Sequence, residues 1–545
     1  MDVATLIGST PFVLMVGSFG VPLLSMATKR KGVFDAYAFA LTLYAFVSTL
    51  LGAVEVLRSE KPVIYTFAGW PPPIGVTYVV DPFSAILGLL TSFVMLMAVV
   101  YSWWYAKQFE RSAYLYYALI LALEAGLLGC LFTSDVFNFF VMMELTCIAS
   151  YALVAFYRWK LVALEASMKY ALIGTAATTL YFLAVVLLYH AFGTLNIADL
   201  VEKTRGLEGL VPLPINNVEV LAVVSAVAVS ISMWTFMYLS AIFPNHFWLP
   251  DAHPEAPTPV SALLSGLVVN LGIYIYARFL YTIFGRGSVL DAAIVEPLGV
   301  SVRSTLMILG AVLGGITALL GAMLMSVQND VKRLLAYSTV SHMGLLFMSL
   351  SLGFAASQSC EKLLLEATLF HTLVHGIAKA LLFLATGMLI VATGTRLITE
   401  WSGVGKLCLP AAVGTIVGAL TLLGVPPLAG FFSKLLLVRA YLACGNIYAV
   451  VVLVLASVLA IPGYIKLINA VAMGTPSNGK KLGLVATPGY LVLSILVLLC
   501  VALGLVYVAG LLDPVLSRAI DLSFGSKGLE NLVEISKHVL QTFKP

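Results

Sequence analysis

Apolar stretches of about twenty residues follow one another along the whole chain, and an α-helix of that length crosses the ~30 Å hydrocarbon core of a bilayer. Short polar and charged clusters separate them. Fourteen spans are read, with approximate cores at 5–27, 33–56, 83–106, 113–132, 136–157, 165–192, 218–243, 258–284, 302–326, 333–353, 364–391, 411–440, 446–470 and 487–510. The pattern predicts an all-α polytopic membrane protein with no large soluble domain. The first span has no basic residues ahead of it and ends in Lys29-Arg30-Lys31, so it reads as a retained helix and not a cleaved signal peptide. After Asp513 the pattern changes. Leu529, Leu532 and Val533 among Glu530 and Glu534 predict an amphipathic tail, 513–545, resting on the membrane surface.

Composition removes other classes. Of 545 residues 61% are hydrophobic and 10% charged, and 30 Lys+Arg against 26 Asp+Glu leave +4, too balanced and dispersed for a nucleic-acid surface. The basic residues report topology instead. Lys29, Arg30, Lys31, Lys107, Arg111, Arg158, Lys160, Lys332, Arg333, Arg396, Lys406, Lys480 and Lys481 fall on one side, mostly in short connections. That side is read as cytoplasmic, with both termini outside the cell membrane. The six cysteines contain no C-x-x-C pair and mostly lie inside apolar runs, so neither a disulfide framework nor an iron–sulfur site is expected. No nucleotide loop, catalytic triad or metal cluster is present in the pattern, so no cofactor is assigned and any redox centre belongs to a partner.

An ionisable side chain at mid-membrane costs roughly 2.5 to 3.5 kcal/mol on insertion scales, so each one calls for a function or a partner. The spans hold few: Glu124 in span 4, Glu144 in span 5, His342 in span 10, His371, His375 and Lys379 in span 11, and Lys434 in span 12. Spacing of four residues puts His371, His375 and Lys379 on one helix face over about 12 Å. Imidazoles and a desolvated amine suit proton relay through bridging water, structural hydrogen bonding being the alternative. A zincin-type metal site is excluded because Thr372 stands where its glutamate belongs. In span 12, Gly424-Val425-Pro426-Pro427-Leu428-Ala429-Gly430 cannot continue a helix, so the span is predicted to break mid-membrane with Lys434 facing a hydrated cavity; snorkelling to an interface is the alternative. Glu144 and Glu124 have no basic residue within a turn and are read as functional, or else as neutral hydrogen-bonded acids.

From residue 81 to 470 the chain resembles a known family: the antiporter-like membrane subunits shared by respiratory complex I, Mrp-type cation/proton antiporters and energy-converting membrane-bound hydrogenases. The resemblance rests on Asp81-Pro82-Phe83-Ser84, on Ser134-Asp135-Val136-Phe137-Asn138, and on Glu165-Ala166-Ser167-Met168-Lys169-Tyr170. It is strongest in Leu249-Pro250-Asp251-Ala252-His253-Pro254 and Ser261-Ala262-Leu263-Leu264-Ser265-Gly266, followed by Asp330-Val331-Lys332-Arg333 and the ionisable groups of spans 10 to 12. The wording is closest to the Mrp and hydrogenase branch. It implies residues 1–112 as three leading spans, inverted five-helix repeats at 113–284 and 302–470 with discontinuous helices 7 and 12, and a last span at 487–510.

In such proteins Glu144 pairs with a lysine in span 7 and span 8 adds another. Here those positions hold Leu239 and Asn270, and Arg278 comes only near the end of span 8. The amino-terminal half of the relay is therefore expected to be disabled or rewired. Lys332 and Arg333 are read as cytoplasmic anchors after a helix cap at Asp330, and 244–259 as a rigid connector whose His246 and His253 lie near the cytoplasmic surface. Three functions follow from the resemblance. The chain is an ion-translocating subunit of a complex-I-like or hydrogenase-like assembly, beside other membrane-arm subunits and a peripheral redox module; or an Mrp-type Na⁺/H⁺ antiporter subunit; or a non-conducting spacer.

Overall fold

The structure, a computed structural model, describes the backbone of residues 2–541 except 208, 211, 356, 477–478 and 484–485, with side chains described to residue 534 apart from that of 355 as well. Among the described residues, twelve helical stretches are long and apolar enough to cross a membrane. One of them, 82–132, holds two spans, Pro82–Tyr105 and Ala113–Phe132, separated by a turn at 106–112. Another span comes in two pieces, Leu409–Leu423 and Ala429–Ala443. Together these make the fourteen expected spans of an all-α polytopic membrane protein. Among the described residues, strands are confined to two small antiparallel hairpins, Val63–Thr66 with Thr77–Val80 and Ile294–Val295 with Val300–Ser301.

Burial sorts the helices. The spans at 258–283, 331–354 and 358–393 are 100%, 94% and 83% buried over their most apolar windows, whereas the last, Thr487–Val508, is 28% buried and belongs to the lipid-facing shell. Glycine lets two of them close up. A Cβ at Gly314 or Gly321 in span 9 would sit within 2.6 Å of the span 10 backbone, so this pair packs main chain against main chain and fixes the helix that carries His342. Span 8 contains π-turns at Leu264–Val268 and Arg278–Ile283 on either side of Asn270.

A detail of the backbone occurs twice. Asp135 caps span 5 by accepting from the amides of Phe137 and Asn138, and Asp330 caps span 10 by accepting from those of Lys332 and Arg333. Beside each cap the chain pairs with the segment after the next span: Val136 N with Leu195 O and Ile197 N with Ser134 O, then Val331 N with Arg396 O and Ile398 N with Asn329 O. These matched pairings put spans 5 and 6 in register with spans 10 and 11.

Three expectations need correction. The 244–259 stretch is not a plain connector: Trp248–Glu255 is a buried helix, and His253 lies wholly inside the protein with its ring 4.9 Å from that of Phe383. Lys332 is not a surface anchor, since its amine turns inward to Ala256 O at 2.7 Å. A disulfide does exist, between Cys360 at the start of span 11 and Cys444 at the end of span 12. All three features were assigned from local pattern, and each is placed by contacts with distant segments. The tail forms helices Asp513–Phe524 and Ser526–Gln541, and the first docks on the protein itself, Ser523 Oγ accepting from Phe83 N at 3.0 Å. Lys527 and Arg518 both reach Glu60 and hold that exposed carboxyl below its usual range, so this contact weakens only as pH falls through the lowered value.

Candidate functional site

The ionisable groups of spans 10, 11 and 12 converge where those spans meet, whereas Glu124 and Glu144 lie elsewhere. Their helices bring them there by simple spacing: Ser338 and His342 are one turn apart on span 10, and His371, His375 and Lys379 succeed one another on span 11. His342 Nδ1 lies 3.0 Å from His371 Nε2, and His371 Nδ1 lies 3.0 Å from Ser433 Oγ. Ser433 in turn donates to Gly430 O at 3.1 Å. A hydroxyl has one proton, so with that proton on Gly430 the serine accepts from His371, whose other nitrogen then accepts from His342. The three side chains form one directional hydrogen-bonded wire; in the reversed wire Ser433 donates to His371, which donates to His342, and Ser433 gives up its bond to Gly430 O.

Lys379 begins a second branch. Its amine donates to Leu335 O at 2.9 Å and to Ser338 Oγ at 2.6 Å, and Ser338 meets the Tyr464 hydroxyl from span 13. His375 sits between the branches, its ring 5.5 Å from that of His342, and neither of its nitrogens has a protein partner among the described residues. Lys434 follows Ser433 on the second half of the broken span. The break at 424–428 frees the carbonyl of Leu423, and Lys434 folds back to donate to it at 3.2 Å and to Ser457 Oγ at 3.0 Å. The lysine therefore turns into the protein and does not snorkel.

The first repeat is built differently at the matching positions. Cys147 stands as far after Asp135 as His342 stands after Asp330, while Tyr170, Gly174 and Thr178 stand as far before Leu195 as His371, His375 and Lys379 stand before Arg396. The space is filled by aromatic rings. Tyr170 stacks on Trp248 at 4.1 Å, Trp248 Nε1 donates to Tyr238 O at 3.1 Å, and the Tyr151 and Tyr238 hydroxyls lie 3.1 Å apart. Leu239 ends the helix Val218–Leu239, fully buried, before the break at 240–247. Asn270 donates to Gly266 O at 2.6 Å, and Arg278 is held by Asp81 at 2.6 Å and is not free to serve the relay.

The two glutamates part company. Glu144 is only half-buried, on the flank of span 5 that also exposes Val141 and Ile148, so it faces outward from the chain and has no ion pair among the described residues. Glu124 is completely buried, and both its carboxyl oxygens lack a protein partner among the described residues. Sequence reasoning missed Ser338, Ser433, Ser457 and Tyr464. Ser338 and Ser433 were findable from their spacing to His342 and Lys434; Ser457 and Tyr464 carry no local signal.

A family model described as NADH:quinone oxidoreductase/Mrp antiporter, transmembrane, matches residues 133–460. The chain belongs to this family. Among its relatives, an NADH-quinone oxidoreductase subunit of Desulforudis audaxviator is 35% identical over 83% of this chain and 84% of its own length. A Na⁺/H⁺ antiporter subunit of Alkalihalophilus pseudofirmus is 31% identical over 74% of each. Of solved structures, a chain of the membrane-bound sulfane sulfur reductase, an archaeal respiratory membrane complex, superposes with a TM-score of 0.83 at 28% identity, covering 98% of this chain and 100% of that one. The family match spans the caps, both broken helices and every ionisable group of spans 10 to 12.

Proposed function

We propose that this chain is a proton-translocating, antiporter-like subunit of a complex-I-related respiratory or hydrogenase-type membrane complex, working through its second repeat. The observation that carries this reading is the His342–His371–Ser433 wire, which ends beside Lys434 at the helix break. Imidazole and hydroxyl groups in hydrogen-bonded series pass a proton by exchanging donor and acceptor roles, and a break in the helix admits the water that continues the route. The repeats are 113–284 and 302–470. In the first, the aromatic filling around Tyr170, Tyr238 and Trp248, with Leu239 in place of a base, closes the half-path. The redox reaction belongs to a peripheral module on other chains, and Glu144, facing out of this chain, meets a neighbouring membrane-arm subunit.

Ser433→Ala tests the wire. It removes the acceptor for His371 while leaving Lys434 in place, and proton uptake by membrane vesicles driven by the complex's own donor should fall about five-fold, the loss of one neutral hydrogen bond of about 1 kcal/mol. Electron transfer should continue. Unchanged uptake would make the chain a spacer.

The 31% identity to a Na⁺/H⁺ antiporter subunit supports a second reading, in which the same seam exchanges sodium for protons with no redox module. Gentle detergent extraction separates the two: co-purifying redox subunits favour the first, and several small membrane subunits in their place favour the second.

For orientation we infer that the lysine-rich loops are cytoplasmic. Two independent features support this: the charge bias itself, and the Cys360–Cys444 disulfide on the opposite face, where an oxidising compartment would keep it. A membrane-impermeant thiol reagent applied to intact cells should label these two cysteines only after reduction. Labelling confined to inverted vesicles would reverse the topology.

A further inference from the structure

On the face opposite the lysine-rich loops, the ends of spans 8, 9 and 11 and the joint between the two tail helices border a cavity of about 420 Å³. Small-molecule sites run to ~300–1,000 Å³, so this one is far larger than a bare ion needs. Among the described residues its walls carry four cations, Arg205, Arg286, Arg303 and Lys362, against two carboxylates, Glu361 and Asp521. The carboxylates are already shared out. Glu361 accepts from Arg303 at 3.0 Å with one oxygen and from Arg286 at 2.7 Å with the other, and Asp521 accepts from Lys362 at 2.6 Å.

That leaves Arg205. Its guanidinium donates to Val201 O at 2.9 Å, Ile283 O at 3.1 Å and Thr282 O at 3.1 Å, and no carboxylate pairs with it among the described residues. Arg303 Nε donates to Leu280 O at 3.0 Å, so the two guanidiniums close on the same last turn of span 8. Burial, with the Arg303 cation beside it, pushes Arg205 down to about 10, and an anion placed between the two relieves that repulsion. Each guanidinium has five N–H donors, which these bonds do not exhaust. Helix ends add to the positive field: Gln358 and Ser359 in the first turn of span 11, and Ser526 at the start of the second tail helix, border the same space. The other side of the wall is apolar, from Leu365, Ile520, Phe524 and Leu529. The occupant this wall fits is an anion attached to an apolar body.

We propose that the cavity binds the phosphate headgroup of an anionic phospholipid, with Arg205 and Arg303 on the phosphate and Leu365, Ile520 and Phe524 against the glycerol and first acyl carbons. Guanidinium forks match phosphate oxygens in a way that a lysine amine does not. An inorganic phosphate would meet the charged side alone and leave the apolar side facing water. The lipid is also a brace for the tail. Phe524, Gly525 and Ser526 form the joint between helices Asp513–Phe524 and Ser526–Gln541, so a headgroup seated against them fixes how the second helix leaves the first.

The test uses the assembled complex, stripped of lipid in detergent and returned to nanodiscs of phosphatidylcholine with increasing phosphatidylglycerol. Hydrogen exchange of the tail backbone around the joint should slow as phosphatidylglycerol rises. Arg205→Gln should need about ten-fold more of that lipid for the same protection, as expected for losing one charge-assisted hydrogen bond. The carbonyl of Ile283 keeps Thr204 Oγ1 as a donor at 2.9 Å in that variant. Lys107→Gln, on the opposite face, should behave as the unaltered chain. Equal loss in Lys107→Gln would reduce the effect to general surface charge and overturn the site. Inorganic phosphate that protects the tail fully in phosphatidylcholine alone would overturn the lipid as occupant. If Arg205→Gln does not assemble, the unaltered complex decides: tail exchange indifferent to phosphatidylglycerol ends the proposal.

Discussion

Lys379→Ala should stop proton uptake by the complex, to less than about a tenth of normal, a barrier change above 1.4 kcal/mol, while the amount of assembled complex stays unchanged. The expectation comes from what the amine touches. Lys379 is completely buried, and no carboxylate pairs with it among the described residues; its partners are Leu335 O and Ser338 Oγ. Removing it therefore breaks no ion pair. Nor does it strand those partners, since Thr339 Oγ1 donates to Leu335 O at 3.0 Å and Ser338 keeps Tyr464. An unpaired amine at this depth opposes insertion by a few kcal/mol, so alanine should ease folding and not hinder it. What the variant loses is the only group, among the described residues, linking the span 11 ladder to Ser338 and Tyr464. Uptake and complex abundance, the second read on native gels, should thus separate. Normal uptake would mean that the lysine merely fills its space.

The spans, the break in span 12 and the span 11 ladder were legible because each is local. Hydropathy reads twenty residues at a time, two prolines between glycines interrupt a helix wherever they fall, and three side chains four residues apart share a face whatever surrounds them. The partners of those groups were not legible. Ser433 meets His371 across 62 residues of sequence, and Tyr464 meets Ser338 across 126. The outward orientation of Glu144 was hidden for a different reason. In water the exposed side of a helix announces itself as polar, but within a membrane the exposed Val141 and Ile148 are as apolar as buried Met143, so span 5 has no side that composition can mark. The same uniformity left Glu124 and Glu144 looking alike, although one is enclosed and the other is not. Asp81-Pro82-Phe83-Ser84 showed only its local half, a helix start.

The other half of that motif gives the largest expected effect on stability. Asp81 caps span 3 by accepting from Ser84 N at 2.9 Å while its carboxylate holds Arg278 of span 8 at 2.6 Å, and both side chains are 7% exposed. The guanidinium lies 5.1–5.4 Å from the ring centroids of Phe83, Tyr274 and Phe524, so span 3, span 8 and the first tail helix close around one charge. Asp81→Ala leaves that charge buried without its counter-ion, which costs about 3 to 5 kcal/mol, and removes a helix cap worth about 1 kcal/mol more. Thermal unfolding in detergent should fall sharply, with the tail becoming accessible to protease first because Phe524 loses its seat. Arg278→Met in the same chain should restore most of the loss, since replacing both members of a buried pair by apolar groups is near neutral whereas replacing one is not. If the double variant is as unstable as Asp81→Ala alone, the cap and not the ion pair holds this corner together. Proton uptake by the restored double variant should be normal, because an arginine committed to Asp81 at the carboxyl-terminal end of span 8 does not replace the base missing at Asn270.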